Sequence, residues 1–549
     1  MMNDGTISPC VGFCVKNALY FGDCLDVLRE FNAEIADLTY LDPPFNSQAD
    51  YNILFSNPTG DRSASQIEAF LDTWHWCDQS EQEFSDVLKQ SNTDVSELLV
   101  ALRRFLGESD MMAYLVMMAS RLLELHRVLR PTGSLYLHCD PTASHYLKIT
   151  LDAIFGVHNY RNEISWRRSQ PKSHTVVNFS NCRDVIFRYS KSGEVKFNKV
   201  YGEYNPEYIE KFYRHVDSDG RRFRFGDLTN PNKNRPNLTY EFLGVTRVWR
   251  WTKERMRKAY EDGLIYQSKP GAVPALKRYL DEMSGQPVTD DWGDIERLHG
   301  SHAEYLGYPT QKPLALLERI ISASSNEGDT VLDPFCGCGT TVHASQKLGR
   351  RWLGIDITHL AISLIEKRLR DAFPGITFDT FGTPKDVEGA RDLALRDKYQ
   401  FQWWACSLVN AQPYQGKKKG ADGGIDGIIY FQDDIKSQPQ KIIVSVKGGQ
   451  NVGVSMIRDL AAVIEREKAA IGLFVALEEP TKPMRTEAIA KGLYTCPHNG
   501  MQYPKIQILT IRGLLDGTEK PAYTDLQSGD LTLKRAERAK TTDHQHTLI

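Results

Sequence analysis

Residues 333–341 read Asp333-Pro334-Phe335-Cys336-Gly337-Cys338-Gly339-Thr340-Thr341 and fall between a predicted strand, 330–332, and a predicted helix, 341–348. Gly337 and Gly339 lack a Cβ atom, so the backbone can pass close to a ligand there. The next predicted strand ends near Asp356, where a carboxylate is placed to accept hydrogen bonds from ribose hydroxyls. A dinucleotide fingerprint needs a third glycine, but position 342 is a valine. The loop therefore does not fit a pyrophosphate. The alternative to a ligand-binding loop is a glycine-rich turn that binds no ligand.

The rest of the chain places this loop in an α/β protein of several domains. Strands are predicted at 19–21, 35–41, 134–138 and 352–355, and helices at 109–129, 142–155, 314–322 and 360–369. Such alternation predicts a parallel sheet with helices on its faces. The 549 residues are 41% hydrophobic and 25% charged, and no apolar run approaches the roughly 18 residues of a membrane span. With ten scattered cysteines and no basic-then-apolar leader, we expect a cytoplasmic protein with reduced thiols and no membrane contact.

The formal net charge of −3 hides a basic segment in the middle of the chain. Residues 161–258 contain 22 Lys or Arg and 11 Asp or Glu, so this segment carries +11 and the rest of the chain −14. The same 98 residues include 16 Phe, Tyr and Trp, and their turn-rich stretches predict irregular structure. Cations attract phosphates and aromatic rings stack on bases, which is typical of a nucleic-acid-binding insertion. A solvated face over an ordinary core is the alternative.

A second short motif, Asp42-Pro43-Pro44-Phe45, follows a predicted buried strand. An exocyclic amine on a base is a poor nucleophile, because its lone pair is delocalised into the ring. The Asp42 carboxylate and the Pro43 carbonyl can each accept one N–H hydrogen bond, which turns the lone pair towards an electrophilic methyl group. The two prolines stiffen the loop, and the Phe45 ring can stack on an extruded base.

Together these motifs resemble those of amino-group DNA methyltransferases, whose S-adenosylmethionine loop reads D-P-F-x-G-x-G-T-T. Residues 308–313 match the family's Y-x-T-Q-K-P signature, and residues 20–28 resemble the block that contacts the adenine of the cofactor. The resemblance implies S-adenosylmethionine as cofactor and Asp42-Pro43-Pro44-Phe45 as the catalytic motif. The cofactor-binding residues that it implies are Asp23, Thr310, Lys312, Asp333, Phe335, Gly337, Gly339, Thr340 and Asp356. A helix N-cap is the alternative role of Asp23.

The C-terminal part carries a different constellation. Asp426 follows a lysine- and glycine-rich run, and Lys447 ends a predicted strand at 441–447. A phosphodiesterase needs carboxylates to hold a divalent ion and a cation near the phosphate. The pattern resembles Mrr-like members of the PD-(D/E)xK nuclease superfamily, which implies Mg²⁺ at Asp426. Ser445 stands where those nucleases carry Glu or Gln, Asp422 is the nearest substitute in sequence, and a fold retained for DNA binding is the alternative to cleavage.

The order of the motifs resembles the circularly permuted, beta class of amino methyltransferases, in which the catalytic motif comes first and the cofactor loop last. The implied fold is a Rossmann-like methyltransferase with an inserted target-recognition region and a C-terminal restriction-endonuclease-like α/β domain. The expected divisions are the catalytic half at 1–157, the DNA-binding insertion at 158–305, the cofactor-binding half at 306–384, the nuclease-like domain at 385–517 and a polar tail at 518–549.

We therefore expect a site-specific methyltransferase that acts on double-stranded DNA in a restriction-modification context, with a homodimer compatible with the sequence. Asp at the first tetrapeptide position resembles adenine-N6 enzymes, whereas cytosine-N4 enzymes, the alternative, more often carry Ser there. Methyltransferases of RNA or protein, a further alternative, more often show N-P-P-Y and need no basic insertion. A DNA-binding scaffold with vestigial sites is disfavoured because the three methyltransferase motifs are intact.

Overall fold

The computed structural model describes residues 16–44, 50–56, 62–71, 74–170, 179–308, 310–414, 423–434, 438–527, 531–532 and 536–539. Phe45 and Asp422, both singled out from the sequence, lie outside these residues. The chain divides into two compact units, one comprising 199–289 and the other the remainder. In the described part of the chain, no helix is both long enough and apolar enough to cross a bilayer.

The first part of the chain alternates strands and helices as the hydrophobic pattern predicts. Its elements are β1 (Ala18–Phe21), α1 (Cys24–Glu30), β2 (Ala36–Leu41), β3 (Asp50–Ser56), β4 (Arg62–Leu71), α2 (Asp78–Leu88), α3 (Thr93–Leu106), α4 (Asp110–Val128), β5 (Leu129–Cys139), α5 (Ser144–Phe155), β6 (Tyr160–Arg167) and β7 (Arg183–Ser190). The helix predicted at 109–129 is α4, which begins after Ser109, whose hydroxyl accepts a hydrogen bond from the Met112 N–H. Such a cap satisfies an N–H that has no partner within the helix.

The unit of residues 199–289 is built mostly from short strands. Its elements are β8 (Tyr201–Gly202), α6 (Pro206–Phe212), β9 (His215–Val216), β10 (Arg222–Asp227), β11 (Thr239–Phe242), β12 (Val245–Val248), α7 (Lys253–Glu261), β13 (Ile265–Tyr266), β14 (Ala275–Tyr279) and β15 (Gln286–Pro287). Four strands form an antiparallel sheet in the order β13-β14-β10-β9, so the expectation of irregular structure is wrong. Aromatic pairs across strands, such as Phe223 opposite Tyr279, supply the packing that stabilises such short strands.

The remaining elements before the C-terminal domain complete the main sheet. They are β16 (Asp291–Trp292), α8 (Leu314–Ser324), β17 (Thr330–Asp333), α9 (Thr340–Lys347), β18 (Arg351–Asp356), α10 (His359–Ala372) and β19 (Asp379–Phe381). Because β6 and β7 precede residue 199 and β16 follows residue 289, the expected insertion at 158–305 is wider than the separate compact unit. Its flanks belong to the main sheet.

The main sheet has the order β16-β6-β7-β5-β2-β17-β18-β1-β19. Neighbouring strands are parallel except that β7 is antiparallel to both β5 and β6. Two distant parts of the chain meet where β2 pairs with β17, and there the Thr330 N–H donates to the buried Asp37 carboxylate at 3.0 Å. The α/β class is confirmed, and the carboxyl ends of β1, β2, β17 and β18 share one edge.

The C-terminal domain has its own sheet and core. Its elements are α11 (Val387–Arg396), α12 (Lys398–Leu408), β20 (Gln412–Pro413), β21 (Gly427–Phe431), β22 (Gln440–Lys447), α13 (Val454–Arg466), β23 (Ile471–Ala476), α14 (Lys482–Ala490), β24 (Leu493–Thr495), β25 (Gln502–Pro504), β26 (Ile506–Thr510) and α15 (Ile511–Leu515). The sheet order is β20-β21-β22-β23-β26, with β22, β23 and β26 parallel. Gln400 on α12 reaches the methyltransferase part, where its side-chain oxygen accepts a hydrogen bond from the His359 N–H at 3.1 Å.

Candidate active site

A cavity of about 390 Å³ opens at the carboxyl edge of the main sheet. This volume lies in the usual range for sites that bind small ligands, and crevices at this edge are where open α/β sheets bind them. The lining residues come from loops that the sequence places far apart. Among them are Asp23, Asp42, Pro43, Pro44, Thr310, Lys312, Asp333, Phe335, Gly337, Thr340 and Asp356.

The loop after β17 has a backbone that only glycine adopts readily. Gly337 and Gly339 have φ angles of +50° and +74°. A Cβ atom on Gly339 would lie 2.7 Å from the Ile365 side chain, and one on Gly337 would press on the Tyr308 ring at 3.4 Å. The loop therefore exposes backbone to the cavity at Gly337, while Gly339 allows α9 to start against α10.

Two buried carboxylates flank this loop. Asp356 accepts hydrogen bonds from the Gly337 N–H and from the Thr358 N–H and hydroxyl, each at 2.9 Å. Burial nevertheless raises the pKa of Asp356 to about 6 and that of Asp333 to about 7. A ligand that brings ribose hydroxyls and a positive charge would stabilise the ionised carboxylates. The donor set and the glycine loop thus fit S-adenosylmethionine.

Asp23 caps the N-terminus of α1 and also lines the cavity. One of its oxygens accepts a hydrogen bond from the Leu25 N–H at 2.7 Å at the start of α1. Its carboxylate also pairs with Arg121 at 2.8 Å, and the Arg121 side chain is only 4% exposed. Because both oxygens already have donors, Asp23 is held rigidly at the cavity wall.

Lys312 lies against the tetrapeptide rather than the glycine loop. Its ammonium group contacts Oδ2 of Asp42 and lies 3.4 Å from the Thr310 carbonyl. The other Asp42 oxygen, Oδ1, is buried and accepts no hydrogen bond from any residue that the structure describes. A buried acceptor without a donor is costly unless a ligand supplies one. The cavity therefore presents an acceptor suited to an N–H group.

Several residues of the site are not evident from the motifs. Arg368 is buried on α10 and donates to the Cys338 carbonyl at 3.0 Å and to the Thr340 hydroxyl at 3.2 Å, which fixes the glycine loop. Arg121 fixes Asp23 in the same way. The signal for Arg121 is a lone arginine on an apolar stretch of a helix, since a buried cation must have a partner, whereas Arg368 lies among other charged residues and gives no such signal.

The C-terminal constellation is brought together at the end of β22. Asp426 accepts a hydrogen bond from the Val446 N–H at 2.6 Å and lies 3.6 Å from the Lys447 ammonium. Ser445 is buried on the same strand. Within the described ranges, no three His, Cys, Asp or Glu side chains group as a metal site requires. The expected Mg²⁺ ligand set is thus limited there to one carboxylate.

Residues 36–367 match the model of the N6/N4 DNA methylase family, and because this is more than half of the chain, the chain belongs to that family. Its members are S-adenosylmethionine-dependent DNA methyltransferases. Residues 406–516 match a second family, described as NACHT-associated inactive restriction endonuclease 1.

Named relatives match parts of the chain. Over 260 residues the chain is 34% identical to the type II methyltransferase M.EcaI of Enterobacter cloacae, covering 47% of this chain and 57% of that protein. Over 112 residues it is 40% identical to the DNA adenine methyltransferase YhdJ of Escherichia coli K12, covering 20% of this chain and 38% of that protein. The chain thus spans about half the length, or less, of these relatives. The M1.HpyAVI complex with S-adenosylmethionine is similar at 15% identity and a TM-score of 0.29, covering 64% of this chain and 99% of that one.

The raised pKa of Asp356 makes cofactor affinity depend on pH. The ionised carboxylate accepts ribose hydrogen bonds and attracts a cation, so we expect the affinity for S-adenosylmethionine to fall at least about 10-fold as the pH drops from 7.5 to 5. Asp356→Asn should weaken binding at pH 7.5 and remove the part of the pH dependence centred near pH 6, which leaves the part centred near pH 7 where Asp333 titrates. Calorimetric titration across pH tests this. Asp26→Asn, at an exposed site on α1, should bind as the wild type does, and tighter binding at low pH would contradict the assignment.

Proposed function

We propose that this chain transfers a methyl group from S-adenosylmethionine to the N6 amine of adenine in double-stranded DNA. The observation that carries this proposal is the Asp42 carboxylate beside the glycine loop, with one oxygen held by Lys312 and the other buried without a donor among the residues that the structure describes. An amine N–H of an extruded base supplies the missing donor.

The residues of the tetrapeptide act on the amine by position. S-adenosylmethionine supplies an electrophilic methyl group when bound. Asp42 Oδ1 accepts one N–H of the target amine, which directs the nitrogen lone pair away from the carboxylate and towards the methyl group. Lys312 fixes the orientation of the Asp42 carboxylate, so the acceptor is in place before the base arrives.

Adenine is favoured over cytosine by two observations. Asp occupies the first tetrapeptide position, as in the adenine-N6 enzymes that this motif resembles, and one relative is a DNA adenine methyltransferase. The chain order of catalytic motif, insertion and cofactor loop supports the beta class. The relative M.EcaI is a type II methyltransferase, which supports a restriction-modification context.

Removal of the Asp42 carboxylate tests the reaction. Asp42→Ala should lower methyl transfer at least about 1,000-fold, since an oriented acceptor in a water-poor site contributes roughly that much. Affinity for S-adenosylmethionine should stay within about 2-fold, whereas Asp356→Ala should show the reverse pattern. The rate of methyl transfer is measured on plasmid DNA, and mass spectrometry identifies the modified base. Near-normal turnover of Asp42→Ala would refute the mechanism, and N4-methylcytosine as product would refute the choice of adenine.

We propose that the 199–289 unit contacts the DNA backbone through Arg224 and Arg278. These arginines lie directly opposite each other on β10 and β14, where like charges repel. Arg224 donates to the Tyr208 hydroxyl at 2.9 Å, but no carboxylate in the described residues lies within salt-bridge distance of either guanidinium, and both Nε atoms are buried without a partner there. A phosphate would offset this repulsion, which supports a backbone contact here.

The same unit offers a matched control for this contact. Arg221 is bound to Asp219 at 2.7 Å and Glu282 at 2.9 Å, so its charge is already compensated. We expect Arg224→Ala with Arg278→Ala to weaken DNA binding and to lower the slope of log K against log salt by about 1 to 2. Arg221→Ala should leave both nearly unchanged. An unchanged slope in the double variant would show that other residues contact the DNA backbone.

For the C-terminal domain we propose DNA binding without cleavage. A divalent ion needs several oxygen ligands, whereas Asp426 is paired with Lys447 and Ser445 offers no carboxylate. The match to a family described as inactive supports the same view. Mg²⁺-dependent cleavage with Asp426 as ligand, Lys447 at the phosphate and Asp422 as second acid is the alternative.

Incubation with plasmid and Mg²⁺ distinguishes these two functions. The chain carrying Asp42→Ala, which prevents self-protection, should leave both unmethylated and methylated plasmid intact. Lys447→Ala should weaken DNA binding modestly, about 2- to 5-fold for one phosphate contact. Cutting that requires Mg²⁺ and disappears in Asp426→Ala would establish the nuclease instead.

A further inference from the structure

Beside the catalytic carboxylate, a chain of buried polar side chains crosses three strands of the main sheet. The Tyr40 hydroxyl on β2 lies 3.0 Å from Nδ1 of His138 on β5, and Nε2 of His138 lies 3.2 Å from the carboxylate of Asp184 on β7. The relative exposure of these residues is 2%, 0% and 2%. Arg168 continues the chain, with its guanidinium 3.1 Å from Asp184. Arg168 is partly exposed, but three polar groups as deep as the others are costly unless they have a purpose in the site.

This series of polar side chains begins at the cavity. Tyr40 precedes Asp42 by two residues, and both line the cavity. Lys312, which contacts Asp42, also exerts its positive charge on Asp184. The two carboxylates therefore share one lysine, which couples the polar chain electrostatically to the catalytic group.

The donor and the acceptor of each hydrogen bond between Tyr40, His138 and Asp184 can be assigned. Burial opposes ionisation of Asp184, but the hydrogen bond from His138 and the positive charges of Arg168 and Lys312 hold the pKa of Asp184 below its usual value. An ionised Asp184 can only accept, so we assign a hydrogen to Nε2 of His138 and the acceptor role to Nδ1. Burial and nearby negative charge raise the pKa of Tyr40, so the phenol keeps its proton and donates it to Nδ1.

We propose that His138, acting through Tyr40, is the base that finally takes the proton released by the methylated amine. The inference rests on the proposed methyltransferase function. When the new nitrogen–carbon bond forms and the bond from the methyl group to its donor breaks, the nitrogen is left with a positive charge and one surplus proton. That proton passes first to Oδ1 of Asp42.

The proton then leaves Asp42 through one bridging water for the Tyr40 oxygen, while the Tyr40 hydroxyl hydrogen moves to Nδ1 of His138. The resulting imidazolium is stabilised by Asp184, in the arrangement by which an Asp–His pair serves a hydroxyl in hydrolases. Asp42 is a carboxylate again and no electrons are exchanged with any redox partner. Tyr40 and His138 reach the amine only through Asp42 and are positioning residues.

The titratable or charged groups that face this network come from several elements. They are Tyr40 from β2, Asp42 after β2, Asp184 from β7, Arg168 after β6, Lys312 before α8, Asp333 at the end of β17 and the neighbouring Cys139 and Asp140.

A matched pair of tyrosines tests the relay. Tyr136 is the register partner of Tyr40 on β5, is equally buried and bonds to the Ser324 hydroxyl at 2.7 Å. We expect Tyr40→Phe to lower single-turnover methyl transfer about 100-fold, with cofactor and DNA affinities unchanged, and Tyr136→Phe to change it less than about 3-fold. His138→Gln should be slowed by a similar factor, because the Tyr40 hydroxyl then has no basic acceptor for its hydrogen.

Nitrogen NMR of the ligand-free chain gives a readout that does not depend on activity. In the chain with ¹⁵N-labelled histidine, the resonances missing from His138→Gln identify His138, and they should report a hydrogen on Nε2 and none on Nδ1. A hydrogen on Nδ1, or a Tyr40→Phe variant with the wild-type rate, would overturn the relay while wild-type methylation upholds the proposed function. No methylation by the wild-type chain would overturn the proposed function itself.

Discussion

The hydrogen bond from Thr330 to Asp37 joins two strands that lie 293 residues apart in sequence. It fixes β2 beside β17, and Asp37 also receives Arg130 at 3.1 Å and Lys196 at 3.3 Å. A buried carboxylate with several donors tolerates little displacement, because removing any one donor leaves charge uncompensated. The loops that follow these two strands carry the tetrapeptide and the glycine-rich turn. The distance between Asp42 and the glycine loop is thus set at the opposite end of these two strands.

Short motifs with their own backbone requirements were predictable from the sequence. The glycine loop, its flanking strand and helix, and the acidic residue at the end of β18 appear where the pattern places them, since positive φ angles and buried strands leave a local signature. The β-structure of the 199–289 unit was not predictable, because its strands are two to six residues long and alternate too briefly to be recognised.

Contacts between distant residues left no comparable signature. Lys312 belongs to a recognised motif, yet its partner Asp42 lies 270 residues away, and the motif alone assigns it to the cofactor. The hydrogen-bonded series of Tyr40, His138 and Asp184 requires the register of β2, β5 and β7, which hydrophobic patterns do not specify. Side-chain chemistry was therefore visible in the sequence, whereas the pairing of one group with another depended on the tertiary fold.

The hydrogen bond between Gln400 and the backbone of His359 bears on how such a protein can be assembled from parts. His359 opens α10, three residues after Asp356, and its ring stacks on Phe21 with centroids 3.6 Å apart. A chain divided at the start of the C-terminal domain would leave this N–H without its acceptor, within one helical turn of Asp356. The two parts therefore stabilise each other, and the methyltransferase part is not an interchangeable module that merely carries a second one.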